Sequence, residues 1–137
     1  PKRRETHTRD ELIDRWESLV SSYPIFSIED GLDENDFVSW RDMTSRLGSR
    51  GMLVGDDLFV TNTKKLKLGI EKHAANAILI KLNQIGTVSE AMDAIELAKQ
   101  QGKGAIALHG KMIDAPIVAR AQQTIDAAIA LGLGREA

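Results

Sequence analysis

The sequence contains no cysteine and few aromatic residues, and what it lacks already excludes several kinds of protein. Without cysteine there is no disulfide frame, no thiolate nucleophile and no cysteine-ligated metal. The formal net charge of −2 excludes the strong positive field of a typical nucleic-acid binder. The longest apolar runs, such as residues 77–80, are far too short to span a membrane. We therefore expect a cytoplasmic protein with neither a nucleic acid nor a membrane as partner.

The chain length limits the architecture. The 137 residues fit a single domain, whereas a complete eight-stranded (β/α) barrel takes about 250 residues. No linker or low-complexity segment interrupts the pattern, so we expect one α/β domain over residues 1–137. The first residue is proline rather than methionine, which predicts a trimmed chain or a piece of a longer one.

Apolar runs alternate with amphipathic segments that carry helix-capping residues. The predicted strands are short continuous apolar runs, near residues 25–28, 52–54, 77–80 and 104–108. The predicted helices begin near Thr8, Asp33, Thr63, Thr87 and Asp114. Continuous apolar strands are typical of a parallel sheet that is covered by helices. The pattern predicts an α/β fold with an N-terminal helix and about four βα units, forming a partial (β/α) barrel or a small open parallel sheet.

A polar residue follows each predicted strand, about one βα unit apart: Glu29, Asp56, Lys81 and His109. Functional groups in parallel α/β folds gather at this carboxyl edge of the sheet. Carboxylate oxygens suit a hard cation such as Mg²⁺, and a lysine can act as a base where burial or a nearby metal lowers its pKa. Acidic residues after strands also cap helices or lie in solvated loops, so both interpretations stay open at this point.

Three segments resemble enolase in order and in register. They are residues 23–31 (YPIFSIEDG), 53–62 (LVGDDLFVTN) and 79–86 (LIKLNQIG). The resemblance extends over residues 10–102 and implies a piece of the enolase catalytic barrel. It implies that Glu29 and Asp56 are Mg²⁺ ligands. It also implies that Lys81 is the base that removes the proton α to the carboxylate of 2-phosphoglycerate, a phosphorylated small-molecule acid. The superfamily pairs a Lys or His base with one or two Mg²⁺ ions.

The C-terminal segment, residues 103–137, resembles a different family. Residues 102–120 are similar to the C-terminal part of the citrate lyase β-subunit and malyl-CoA lyase family, in which an aspartate stands where this chain has His109. The enolase pattern would give His109 a substrate-binding role, but the Arg and Ser that follow in enolase are missing here. The lyase resemblance predicts a β-ribbon and a terminal helix in place of a fourth barrel strand. The two resemblances together predict a chimera joined near Gly102.

Two hypotheses on function follow. The first is a scaffold made from a barrel fragment, of engineered or recombined origin. Its enolase-type site is incomplete, so the protein has no full catalytic activity. The second is an enolase-type, Mg²⁺-dependent lyase fragment that retains weak binding of metal and phosphoester. With either one, the bare strand edges of a partial barrel predict a homodimer.

Overall fold

A computed structural model of the chain describes residues 6–102, 106–108 and 111–113. Helices and strands alternate through most of this range. In chain order the elements are α1 (Arg9–Ser22), β1 (Ser27–Glu29), α2 (Phe37–Leu47), β2 (Met52–Gly55), α3 (Thr63–Glu71), β3 (Ala77–Ile78), α4 (Val88–Gln100), β4 (Ile106–Leu108) and β5 (Lys111–Ile113).

The first three strands form an open parallel sheet in the order β1-β2-β3. Ile28 lies opposite Leu53, and Val54 lies opposite Ala77. This confirms the predicted α/β fold, a partial barrel or small open parallel sheet. Each strand is followed by a helix, so the carboxyl ends of all three strands lie at one edge of the sheet.

The fourth strand differs from the one that periodicity predicts. In place of a parallel strand at 104–108, β4 pairs antiparallel with β5 in a separate two-stranded sheet, and Ala107 lies opposite Met112. An apolar run alone does not distinguish these two arrangements, because it fits a hairpin strand as well as a buried barrel strand. The β-ribbon that the lyase resemblance implies is confirmed for these residues. The helix predicted from Asp114 lies outside the described residues.

Helix-capping residues account for where the helices begin. Thr8 forms the predicted capping box with Glu11, and Thr87 caps α4 by accepting the Glu90 N–H. The prediction that Asp33 caps α2 is wrong, because the cap is Asp36, which accepts the Ser39 N–H at 3.1 Å.

Asp33 instead stabilises the turn that precedes α2. Its carboxylate accepts the Asn35 N–H at 2.8 Å, and its carbonyl accepts the indole N–H of the buried Trp40 at 3.1 Å. The indole of Trp16 donates to the carbonyl of Gly31 at 2.9 Å in the same connection. Both tryptophans therefore hold the segment after β1 in place.

The two faces of the parallel sheet have different neighbours. On one face, Ile28, Leu53 and Ile78 join the main core with the buried sides of the helices. On the other face, Val54 and Ala77 belong to a small separate apolar cluster that also contains Leu79. This alternation fixes which side chains at the strand ends point towards the helices and which do not.

The side chain of Asn76 sets the position of β2 relative to β3. Its oxygen accepts the Leu53 N–H at 2.7 Å, and its amide donates to the carbonyls of Gly48 and Gly51 at 2.9 and 3.0 Å. One side chain thus satisfies three backbone groups around the start of β2. The amino ends of β2 and β3 are consequently held together.

An apolar surface lies beside the edge strand β1. Tyr23 and Phe26, just before this strand, are 61% and 67% exposed. Such a surface would suit the predicted homodimer, which stays a prediction. Among the residues that the structure describes, no helix has the length and apolar character needed to cross a membrane.

Candidate functional site

The loop between β2 and α3 brings Asp56 to the carboxyl edge of the sheet. The Phe59 ring in this loop packs against two glycines, Gly55 and Gly69, where there is no room for a side chain. A Cβ on Gly55 would lie 2.7 Å from the ring. This packing folds the loop back on the sheet, and Asp56 becomes buried, with 6% of its surface exposed.

The same loop contains two consecutive residues with left-handed backbone. Val60 has φ +42° and Thr61 has φ +55°. Such a conformation is unfavourable for β-branched residues and costs of order 1–3 kcal/mol each. The conformation places the Thr61 side chain, which is fully buried, against the end of β3. Its hydroxyl oxygen accepts the Lys81 N–H at 2.9 Å.

Asp56 and Lys81 form an ion pair across the ends of β2 and β3. The Lys81 ammonium donates to Oδ2 of Asp56, and the Gln84 side-chain amide donates to Oδ1 at 2.7 Å. The hydrogen bond to Asp56 raises the pKa of Lys81, and the negative charges of Asp56, Glu29 and Asp57 add to this. The raised pKa favours the charged ammonium form of Lys81, and an ammonium has no lone pair with which to accept a proton.

Asp30 connects the end of β1 to the Asp56 loop. Its carboxylate accepts the backbone N–H groups of Asp56 and Asp57, both at 2.9 Å. Asp30 itself has φ +43°, a conformation that Asp and Asn tolerate better than most residues. The strained backbone and the paired hydrogen bonds together fix the loop against the neighbouring strand.

Three carboxylates come close together at this edge. Asp30, Asp56 and Asp57 each offer an oxygen within 4.8 Å of the other two. Such a set of oxygen donors fits a hard divalent cation. Glu29, the other ligand implied by the resemblance, is exposed at the end of β1 and is not a member of this cluster, although its charge acts on Lys81.

Comparison with known protein families matches residues 1–130 to the enolase C-terminal TIM barrel domain. The chain belongs to this family. The described part of the enolase-type domain thus contributes three consecutive parallel strands with acidic and lysine side chains at their carboxyl ends. The match runs past Gly102 through most of the segment that resembles the citrate lyase β-subunit, so the chimeric junction stays a prediction.

The structure brings together only part of the predicted site. Asp56 and Lys81 are in direct contact, as expected for residues that end adjacent parallel strands. His109 lies outside the described residues. The assignments of Glu29 and Asp56 as metal ligands and of Lys81 as a base remain predictions. The role of Gln84 was not predicted from the sequence, although its polar side chain lies only three residues beyond Lys81.

Replacing Asp30 tests the connection between β1 and the Asp56 loop. Asp30→Ala leaves two backbone N–H groups without an acceptor and puts alanine at positive φ, so we expect the free energy of unfolding to fall by about 1–3 kcal/mol. Asp30→Asn keeps one acceptor oxygen, and asparagine tolerates a positive φ. We therefore expect a smaller fall in the free energy of unfolding. Urea denaturation measures both. Exposed Asp42→Ala is the control, and an Asp30→Ala protein as stable as this control would contradict the connection.

The raised pKa of Lys81 predicts how its contribution to stability depends on pH. In the unfolded chain a lysine titrates near pH 10.4, so below about that pH the contribution of the ion pair is complete. It is lost as the pH rises through the higher pKa of the folded state. The difference in urea midpoint between the parent and Lys81→Met should therefore shrink above about pH 10.4.

Exposed Lys64→Met serves as the matched control for this titration. It removes the same charge from the start of α3, where the side chain is solvated. Its difference from the parent should stay small over the whole pH range. A Lys81→Met difference that persisted unchanged at alkaline pH would show that the stabilisation does not depend on the ammonium charge.

Proposed function

We propose that the carboxyl edge of this sheet is the cation-binding and proton-accepting part of an enolase-type site. The observation that carries the proposal is the contact between Asp56 and Lys81 at the centre of a cluster of three carboxylates. The proposed cation is Mg²⁺, held by Asp56 with Glu29 or with the neighbouring Asp30 and Asp57. A bound Mg²⁺ would supply positive charge beside the carboxylate of a phosphorylated hydroxy acid such as 2-phosphoglycerate.

The side chains of the chain itself divide the remaining work. Lys81 accepts the proton α to the substrate carboxylate once its ammonium is no longer paired with Asp56, because the loss of that pair removes the main cause of its raised pKa. The Gln84 amide donates to the other oxygen of Asp56 at 2.7 Å and so gives the carboxylate a partner besides Lys81. Asp30 keeps the loop in place through backbone groups that play no part in proton transfer.

We further propose that these 137 residues alone do not complete the elimination. A whole barrel takes about 250 residues and has eight strands. A site built from all of these strands needs side chains that β1, β2 and β3 do not supply. General acid–base assistance contributes about 10²–10⁴ in rate, so a site without all of its groups would be correspondingly slow. This is the scaffold hypothesis, in which the chain has a recombined or engineered origin. The alternative, a fragment with weak binding of metal and phosphoester, shares the same cation site.

Mg²⁺ binding separates the cation site from a merely structural ion pair. We expect the parent to bind Mg²⁺ at millimolar concentration by isothermal titration calorimetry, and Asp56→Asn to bind at least tenfold more weakly. Lys81→Met should bind Mg²⁺ more tightly than the parent, because it removes the ammonium that competes for the same carboxylate oxygen. Lys64→Met, which removes an exposed charge, should match the parent.

The same protein variants test whether the chain catalyses the enolase reaction. We expect no formation of phosphoenolpyruvate from 2-phosphoglycerate above the protein-free blank, measured by absorbance with Mg²⁺ present. Turnover by the parent that Lys81→Met abolishes would overturn the scaffold hypothesis in favour of an active lyase. A parent that binds no Mg²⁺ would overturn the cation site itself.

A further inference from the structure

The two oxygens of the Asp56 carboxylate have different kinds of partner. Oδ2 accepts from the charged ammonium of Lys81, whereas Oδ1 accepts from the neutral amide of Gln84 at 2.7 Å. Asp56 is buried, while about a third of the Lys81 side chain is exposed. The carboxylate thus has one fixed neutral partner and one charged partner on a long flexible side chain.

Gln84 is held in place from its other side. Its Oε1 accepts the hydroxyl hydrogen of the buried Thr61 at 3.0 Å, and the same hydroxyl oxygen accepts the Lys81 N–H at 2.9 Å. A continuous set of hydrogen bonds therefore runs from the backbone of Lys81 through Thr61 and Gln84 to Asp56. Among the described residues, no buried side-chain nitrogen or oxygen lacks a partner, so this network is fully satisfied.

The two partners respond differently to an incoming cation. A divalent cation held by Asp56 would repel the Lys81 ammonium and would compete with it for the carboxylate. It would not repel the neutral Gln84 amide, which approaches the other oxygen. Exchange at Oδ2 can therefore take place while the bond at Oδ1 persists and the carboxylate keeps its orientation.

We propose that Gln84 is a positioning residue that, supported by Thr61, holds Asp56 by Oδ1 while Oδ2 exchanges between Lys81 and a divalent cation. The exchange rests on the proposed function of the site. The hydrogen bonds of Gln84 and Thr61 do not, because they join protein groups only. The exchange at Oδ2 therefore needs a metal, whereas the bond at Oδ1 does not, and each is measured by a separate experiment.

The first readout is affinity for Mn²⁺, measured by electron paramagnetic resonance of the free ion. Gln84→Met keeps the approximate shape and removes the donor, and Gln84→Glu replaces the donor with a further carboxylate. Loss of an outer partner of a metal ligand typically costs 10–100-fold in affinity, and we expect this loss in both variants. The exposed Gln100→Met is the matched control and should bind like the parent.

The two Gln84 variants distinguish positioning from charge. If net negative charge alone governed binding, Gln84→Glu would bind Mn²⁺ more tightly than the parent, and that result would overturn the proposal. Unchanged affinity in Gln84→Met together with a lowered unfolding midpoint would also overturn it, since Gln84 would then serve stability alone.

The second readout is the side-chain amide signal of Gln84 in the metal-free protein, observed by ¹⁵N NMR. A proton bonded to a buried carboxylate should resonate downfield and exchange slowly, and it should remain so after Mg²⁺ is added. Thr61→Val should abolish this protection, and Thr61→Ser, which keeps the hydroxyl, should restore it. An unprotected Gln84 signal in the metal-free parent would overturn the proposal. A protected signal in a parent that binds no Mn²⁺ would overturn the proposed cation site instead, while leaving the bond intact.

Discussion

The buried carboxylate of Asp56 is the constraint on which the rest of the site depends. A buried charge is costly unless it has hydrogen-bonding partners and an opposite charge. Its partners come from the end of the next strand, so β2 and β3 must end side by side. Their parallel pairing provides that spacing, and Asn76 supports it at the amino ends of the two strands. The strained turn at Val60 and Thr61 places the Thr61 hydroxyl where it supports the same group of side chains.

The ion pair that stabilises the Asp56 carboxylate would compete with the binding of a cation there. The ammonium of Lys81 stabilises the buried Asp56 carboxylate, and the pairing raises its own pKa. In the proposed function it thereby occupies an oxygen that a cation would take. Asp30 and Asp57 add negative charge that favours a cation, and the backbone N–H groups bound by Asp30 offset part of their mutual repulsion. In the proposed function, binding of a cation and the readiness of Lys81 to accept a proton are therefore linked through the Asp56 carboxylate.

The sequence predicts those features that follow from strand periodicity. Asp56 and Lys81 could be placed together because each directly follows a buried apolar run and parallel strands end at one edge. The roles of Thr61 and Gln84 could not be predicted, since they depend on left-handed backbone in a loop whose residues carry no glycine to signal it. Helix capping was predictable at Thr8 but not in the turn before α2, where several acidic residues compete. The β4–β5 hairpin shows the same limit, because an apolar run does not reveal the direction of its partner.

The central claim is that Asp56 is shared between Lys81 and a divalent cation while Gln84 holds it in place. A crystal structure of the protein with millimolar Mn²⁺, with anomalous differences to locate the ion, tests this most directly. The account predicts an ion bound to the Asp56 carboxylate, the Lys81 ammonium moved away from Oδ2, and the Gln84 amide still bonded to Oδ1. An ion bound elsewhere with the pair between Asp56 and Lys81 intact, or no ion at this edge of the sheet, would contradict it.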